Sequence, residues 1–166
     1  DDLWLRDPAY VTAYGQPVFT FFGPFFVTDR QDFQSLFDDL NTTPLVFTVL
    51  PRFEDIGQFY WMPVGPGANR DVSRQELEAH MQYFQQRAAH WPYRIAGATP
   101  GFHDYWVEGG EHAESFGFIA HDNGETLRWT LDKALESSPD MIQIITWNDY
   151  AEGTMIEPTH EFGTTF

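Results

Sequence analysis

The chain has 166 residues, 42% of them apolar and 17% aromatic, enough for a real core and far from the composition of a disordered segment. Its 25 acidic and 9 basic residues leave a formal charge of -16, which repels nucleic-acid phosphates and anionic lipid surfaces, so neither nucleic acid nor membrane is expected as a partner. With no cysteine there are no disulfides, thiolate metal sites or cysteine nucleophiles, and no apolar run approaches the roughly 20 residues needed to span a bilayer.

Gln16-Pro17 leads into Val18-Phe19-Thr20-Phe21-Phe22, a buried strand stopped by Gly23-Pro24. Asp29 caps the next helix, where Phe33, Leu36, Phe37 and Leu40 fall at i, i+3, i+4 and i+7 and make a stripe to cover the sheet. Leu45-Val46-Phe47-Thr48-Val49-Leu50 reads as a second strand ended by Pro51, and Gln58-Phe59-Tyr60-Trp61-Met62-Pro63 as a third. Only about seven residues separate them, fewer than the dozen or so of a usual parallel crossover. Ser73 and Glu76 form a capping-box pattern, after which Leu77, Met81, Phe84 and Ala88 trace one helical face to about His90.

Arg94-Ile95-Ala96-Gly97-Ala98-Thr99 is the fourth strand, closed by Pro100-Gly101-Phe102-His103-Asp104-Tyr105-Trp106. From there to Asn123, a segment rich in Gly, Glu and His without helical periodicity predicts a long loop, of the kind that is usually functional or mobile. Leu127, Leu131, Ala134 and Leu135 mark a third helix, and Met141-Ile142-Gln143-Ile144-Ile145-Thr146 a fifth strand. That last run has no polar alternation, which suits a strand covered on both faces of a parallel sheet. Strands alternating with helices predict an α/β fold with right-handed crossovers, in one domain over 1–166.

Sites in such folds form where parallel strands end at their carboxyl termini. Phe22, Gly23, Arg52, Glu54, Trp61, the 102–106 run and the 147–152 run are therefore candidates. The last is the richest. Asp149 and Glu152 are a candidate acid and base pair, set among Trp147, Asn148 and Tyr150. Flat rings such as Tyr60, Trp61, Phe102, Trp147 and Tyr150 pack against the C–H faces of sugars, with core packing as the competing role for each. His103 and Asp104 follow a glycine that lets the backbone approach a ligand, and a histidine can donate to hydroxyls. Asn148 orients a carboxylate or substrate, or forms a turn; Glu157 bonds a sugar hydroxyl, or a backbone amide near Thr159. His103, Asp104, His112, His121 and His160 lack a recognised ligand spacing, so no metal is expected. No phosphate-cradling glycine loop calls for a nucleotide cofactor, and no Gly-x-Ser-x-Gly elbow for a serine hydrolase.

The order Trp147-Asn148-Asp149-Tyr150-Ala151-Glu152-Gly153-Thr154-Met155-Ile156-Glu157-Pro158 resembles the terminal strand motif of glycoside hydrolase families 71 and 99. Trp-Asn-Asp-Tyr is similar to the family 71 endo-α-1,3-glucanases, and Glu152-Gly153-Thr154 with Ile156-Glu157 to the family 99 endo-α-mannosidases. The resemblance is strong over 139–163 and modest over 93–106. It implies a (β/α)8 TIM barrel of which the five strands are the second half, since a complete barrel typically takes roughly 250 residues and at least about 200. It further implies Glu152 as general acid and Asp149 as base, activating a water in an inverting enzyme or assisting the substrate's own 2-hydroxyl in a retaining one. The substrate would be an α-linked glucan or mannan.

Three readings stay open: a glycosidase needing no cofactor, a carbohydrate-binding protein without turnover, and an inactive half-barrel that needs an N-terminal complement. Unpaired strand edges and apolar faces predict self-association or such a complement. The resemblance favours a secreted or periplasmic setting, although no basic segment followed by an apolar run opens this numbering, so no signal peptide is expected in it.

Overall fold

β-Branched and aromatic residues favour the pleated, half-buried surface of a sheet, and the run after Gln16 forms such a strand in the computed structural model, which describes residues 4–53, 56–111 and 113–166. The fold is mixed α/β with parallel sheets, in two compact units: Asp1–Phe59 with Trp91–Arg94, and Tyr60–His90 with Ile95–Phe166.

The first unit holds a four-stranded sheet in the order β1 (Thr12–Ala13), β2 (Gln16–Phe21), β3 (Leu45–Thr48), β4 (Gly57–Gln58). β1 folds back antiparallel on β2, whereas β2, β3 and β4 run parallel, with Val18 opposite Leu45 and Phe47 opposite Gly57. The third predicted strand therefore pairs at 57–58 rather than along 58–63, and Phe59 N–H extends it by one bond to the Thr48 carbonyl at 3.2 Å. Glycine permits this register, because a Cβ at 57 would lie 2.6 Å from the Phe47 ring.

Asp29 caps α1 (Arg30–Ser35), accepting from the Gln31 and Asp32 amides at 2.8 and 3.0 Å. The helix ends sooner than the predicted stripe, and Leu36 is 52% exposed. Asp38 and Asp39 sit where further turns would place the negative end of the helix dipole, which opposes extension. Phe33 carries the packing, buried with Phe53 and Ile56 against Phe21, Phe37 and Val46.

In the second unit, α2 (Arg74–Ala88) opens with the predicted reciprocal cap: Ser73 Oγ accepts the Glu76 amide and Glu76 Oε2 accepts the Ser73 amide. Its Leu77 and Met81 enter a core with Tyr60, Met62, Val72, Phe102, Ile119 and Ile145. β5 (Ile95–Ala98) pairs in parallel with β8 (Met141–Ile144), Ile95 opposite Met141. The Tyr60 ring lies on the backbone of Gly97, where a Cβ would come within 2.5 Å of it.

The predicted long loop is not structureless. It contains α3 (Tyr105–Glu108) and a strand, β7 (Phe118–Ile119), antiparallel to β6 (Phe102–His103). Backbone bonds tie it down, with Val72 N–H donating to the Phe118 carbonyl at 2.8 Å and Phe118 N–H to Arg70 at 3.1 Å. Two-residue strands have too little periodicity to read from sequence.

A 3-10 turn (Asp122–Gly124) leads into α4 (Glu125–Glu136). Its buried line is Thr126, Thr130 and Ala134, not the predicted leucines, and Leu135 is 55% exposed. The cause is polar. Thr130 Oγ1 accepts the Thr99 amide at 3.1 Å and lies 2.9 Å from the Thr99 carbonyl, so the helix satisfies the backbone at the end of β5. Thr130→Val keeps the shape but orphans a buried amide, so it should cost about 1–3 kcal/mol, read by denaturant unfolding, while Thr130→Ser should recover most of the loss.

Candidate functional site

Beyond β8 the chain closes into a loop whose base is bonded four times. Thr146 N–H donates to the Thr154 carbonyl at 2.9 Å, the two threonine hydroxyls meet at 2.9 Å, and the Trp147 carbonyl accepts the Ile156 and Glu157 amides at 3.0 Å each. Within the loop Asp149 acts as a cap. Its amide donates to Thr146 Oγ1 and its Oδ1 accepts the Glu152 amide, both at 3.1 Å, so the turn places Glu152 back beside Asp149.

Three successive carbonyls of this turn are held from outside it. Ala151 accepts from Tyr105 N–H at 3.0 Å, Glu152 from His103 N–H at 2.9 Å, and Gly153 from His121 Nε2 at 2.6 Å. A carbonyl only accepts, so the His121 proton sits on Nε2. Gly153 has φ +60, and a Cβ there would stand 3.0 to 3.2 Å from His103 atoms, so this close approach requires glycine.

The Glu152 carboxyl is half-buried, and its pKa rises to about 7, first through burial and then through the charges of Asp149 and Asp104. Asp104 is 5% exposed and accepts the Phe116 amide at 2.6 Å. His103 bonds Glu108 Oε1 through Nε2 at 2.6 Å and stacks on Tyr105 with centroids 4.1 Å apart. Tyr150 O–H donates to Glu157 Oε1, which raises the phenol's pKa and fixes a ring that is half exposed. An open groove of about 430 Å³ runs between Tyr150 and Pro158, Thr159, His160 and Glu161.

Asp149, Glu152, Trp147, Asn148, Tyr150 and Glu157 thus share one loop, with His103 bonded to it through its amide and Asp104 near enough for its charge to act on Glu152. Tyr60 and Phe102 are 1% and 0% exposed in the core, and they present no ring to a ligand. Trp61 packs partly buried against that core, its carbonyl bonded to His80 Nε2 at 2.9 Å. Phe22, Gly23 and Arg52 belong to the first unit, while Glu54 and His112 lie outside the described residues. Among the described residues no group of three or more His, Asp or Glu has a metal-holding arrangement. His121, which sequence offers only as a weak metal candidate, supports the site across 32 residues of chain, a distance no local motif announces.

No known family pattern matches the chain, and no curated protein matches it. Among solved structures it is similar to a GH99 endo-alpha-mannosidase from Bacteroides thetaiotaomicron in complex with bis-tris-propane, at a TM-score of 0.62 and 23% identity over 91% of this chain and 50% of that one. A second structure of a GH99 endo-alpha-mannosidase from that organism gives a TM-score of 0.60 and 21% identity over 91% and 47%. The chain spans about half the length of these structures, and the likeness is one of fold.

The raised carboxyl has a consequence for stability. An unfolded Glu152 loses its proton near 4.5, the folded one near 7, so between those values the native state holds the extra proton and stability falls as pH rises. Glu152→Gln, neutral throughout, should raise the melting midpoint at pH 8 and leave it close to wild type at pH 4. Equal midpoints at both pH values would show that the carboxyl is not held against its charge.

Proposed function

We propose that this chain is the part of a glycoside hydrolase that carries the proton donor, acting on an α-linked glucan or mannan with Glu152 as general acid and Asp149 as its partner. The observation that supports it is the Glu152 carboxyl itself: burial and two neighbouring carboxylates keep a proton on it near neutral pH, as a donor to a leaving oxygen requires. The motif residues and the GH99-like fold point the same way.

In this reading Glu152 gives its proton to the glycosidic oxygen as the bond to the anomeric carbon breaks. Water attacks that carbon from the opposite face, and Asp149 takes the water's proton. Asp149 can instead accept hydrogen from the substrate's 2-hydroxyl as that oxygen attacks. Trp147 and Tyr150, 60% and 51% exposed, supply ring faces for the sugar, and Asn148, His103 and Glu157 supply hydroxyl partners. The acidic chain favours a neutral saccharide over an anionic one.

The half-length match favours a further element in the reading: a complementing N-terminal half-barrel, on the same polypeptide or another, would supply the remaining cleft wall. Phe26, 95% exposed, and Phe22 and Phe25, at 55% and 50%, are apolar surface that such a complement or self-association would cover. Light scattering on the purified chain should show association; a strictly monomeric species with cooperative unfolding would remove this element.

Hydrolysis of α-1,3-glucan and α-mannan oligosaccharides, followed by NMR, tests the main reading. Glu152→Gln should reduce kcat at least about a hundredfold while leaving saccharide binding near wild type. Asp149→Asn, which keeps the capping oxygen but removes the charge, should also be severely impaired, and azide should rescue it if Asp149 activates water. Initial β-configured reducing ends identify the inverting route and α-configured ends the 2-hydroxyl route. Binding without release of any product would favour the binding module, or a half-barrel that needs its complement, over an enzyme sufficient by itself.

A further inference from the structure

We infer that His121 is a positioning residue for Glu152: its Nε2–H bond to the Gly153 carbonyl holds the turn so that the Glu152 carboxyl stays half-buried beside Asp149 and Asp104. The inference rests on the reading of Glu152 as the functional carboxyl and adds to it a residue outside the motif.

Two of the three outside bonds to the turn come from backbone amides of His103 and Tyr105, which many residues would supply equally well. The third comes from a side chain. His121 occupies a fitted slot. On one side stands Gly101, where a Cβ would lie 2.8 Å from His121 Cδ2, and against the ring lie Phe162 and Phe166, with centroids at 5.2 and 5.9 Å. Its own backbone is anchored, because its carbonyl accepts the Gly124 amide at 3.0 Å and the Thr126 amide at 3.4 Å, where α4 begins. The start of α4 therefore sets the ring, and the ring sets the carbonyl next to Glu152.

The ring is suited to a permanent brace rather than a switch. Burial lowers the His121 pKa, the Gly153 bond and Asp122 oppose that shift, and His103 adds to it, so the neutral imidazole dominates near neutral pH. Protonation at lower pH would add a charge at Nδ1 without breaking the Nε2–H bond. The charges bearing on Glu152 itself are Asp149, in its own loop, and Asp104, beside β6. Loss of the brace would let the turn lift, water reach the carboxyl, and its titration move down.

The test is a carbon-13 titration of the Glu152 carboxyl in the wild type, His121→Gln and His121→Phe, with the melting midpoint and kcat on α-linked oligosaccharide measured beside it. A glutamine amide reaches about as far as Nε2 and should keep the wild-type titration near 7. Phenylalanine fills the slot without donating and should bring the midpoint down by at least about one pH unit, toward the ordinary glutamate value of 4.5, with kcat reduced at least about tenfold and KM little changed. An unshifted titration in a folded His121→Phe overturns the positioning role, whether or not the protein hydrolyses anything. A shifted titration with no hydrolysis by any form upholds it and sinks only the reading of this chain as an enzyme sufficient by itself. Should His121→Phe not fold, His121→Asn, whose amide stops short of the carbonyl, gives the same two outcomes.

Discussion

Three neighbouring carbonyls, at Ala151, Glu152 and Gly153, are each pulled toward a donor from another segment, and the organisation of the second unit serves that clamp. Left alone, a loop with Asp149 and Glu152 three residues apart would relax to spread its charges into water. The clamp prevents this at a gain of roughly 1 kcal/mol per bond, and the base of the loop adds the Thr146–Thr154 and Trp147 bonds. The raised pKa of the half-buried carboxyl comes first from burial, then from Asp149 in its own loop and Asp104 outside it, and is not a property of the glutamate alone.

The donors of the clamp are placed in turn by the remaining elements. β6 offers the His103 amide and the start of α3 the Tyr105 amide, because the pairing of β6 with β7 and the turn at Pro100-Gly101 set the path of this segment. Thr99 enters that turn, bonded to Thr130 of α4 on its backbone and to the Gly101 carbonyl through its own hydroxyl at 3.0 Å. The first residues of α4 hold His121. A polar seam through Thr99 and Thr130 thus lies one step behind the clamp, which explains why the buried line of α4 is threonine and alanine where a purely apolar helix would carry leucine.

Glycine recurs where backbones must nearly touch. Gly97 lies under Tyr60, too close for a Cβ, and Gly153 against His103, where a Cβ would be crowded at a φ of +60 that side chains rarely adopt. Tyr60, reckoned among the sugar platforms, belongs to the core for the same reason: the glycine beneath it draws the ring inward, and burial raises the pKa of its phenol. The rings left outside, Trp147 and Tyr150, stand on the loop that carries the carboxylates, and Glu157 restrains the second of them.

The capping box at Ser73, the Asp29 cap, the parallel pairing of the apolar runs and the gathering of Asp149, Glu152, Trp147, Asn148, Tyr150 and Glu157 were legible in the sequence, because each depends on residues within one turn, one strand or one loop. Local propensity and short-range bonding act over such distances whatever the rest of the chain does. The early end of α1, the two-residue strands β4, β6 and β7, the threonine face of α4, the burial of Tyr60 and Phe102 and the reach of His121 to Gly153 were decided by tertiary structure. Each turns on which distant group fills a space or meets an orphaned amide or carbonyl. Such requirements arise only once the segments have packed, and so does the environment that keeps a proton on Glu152.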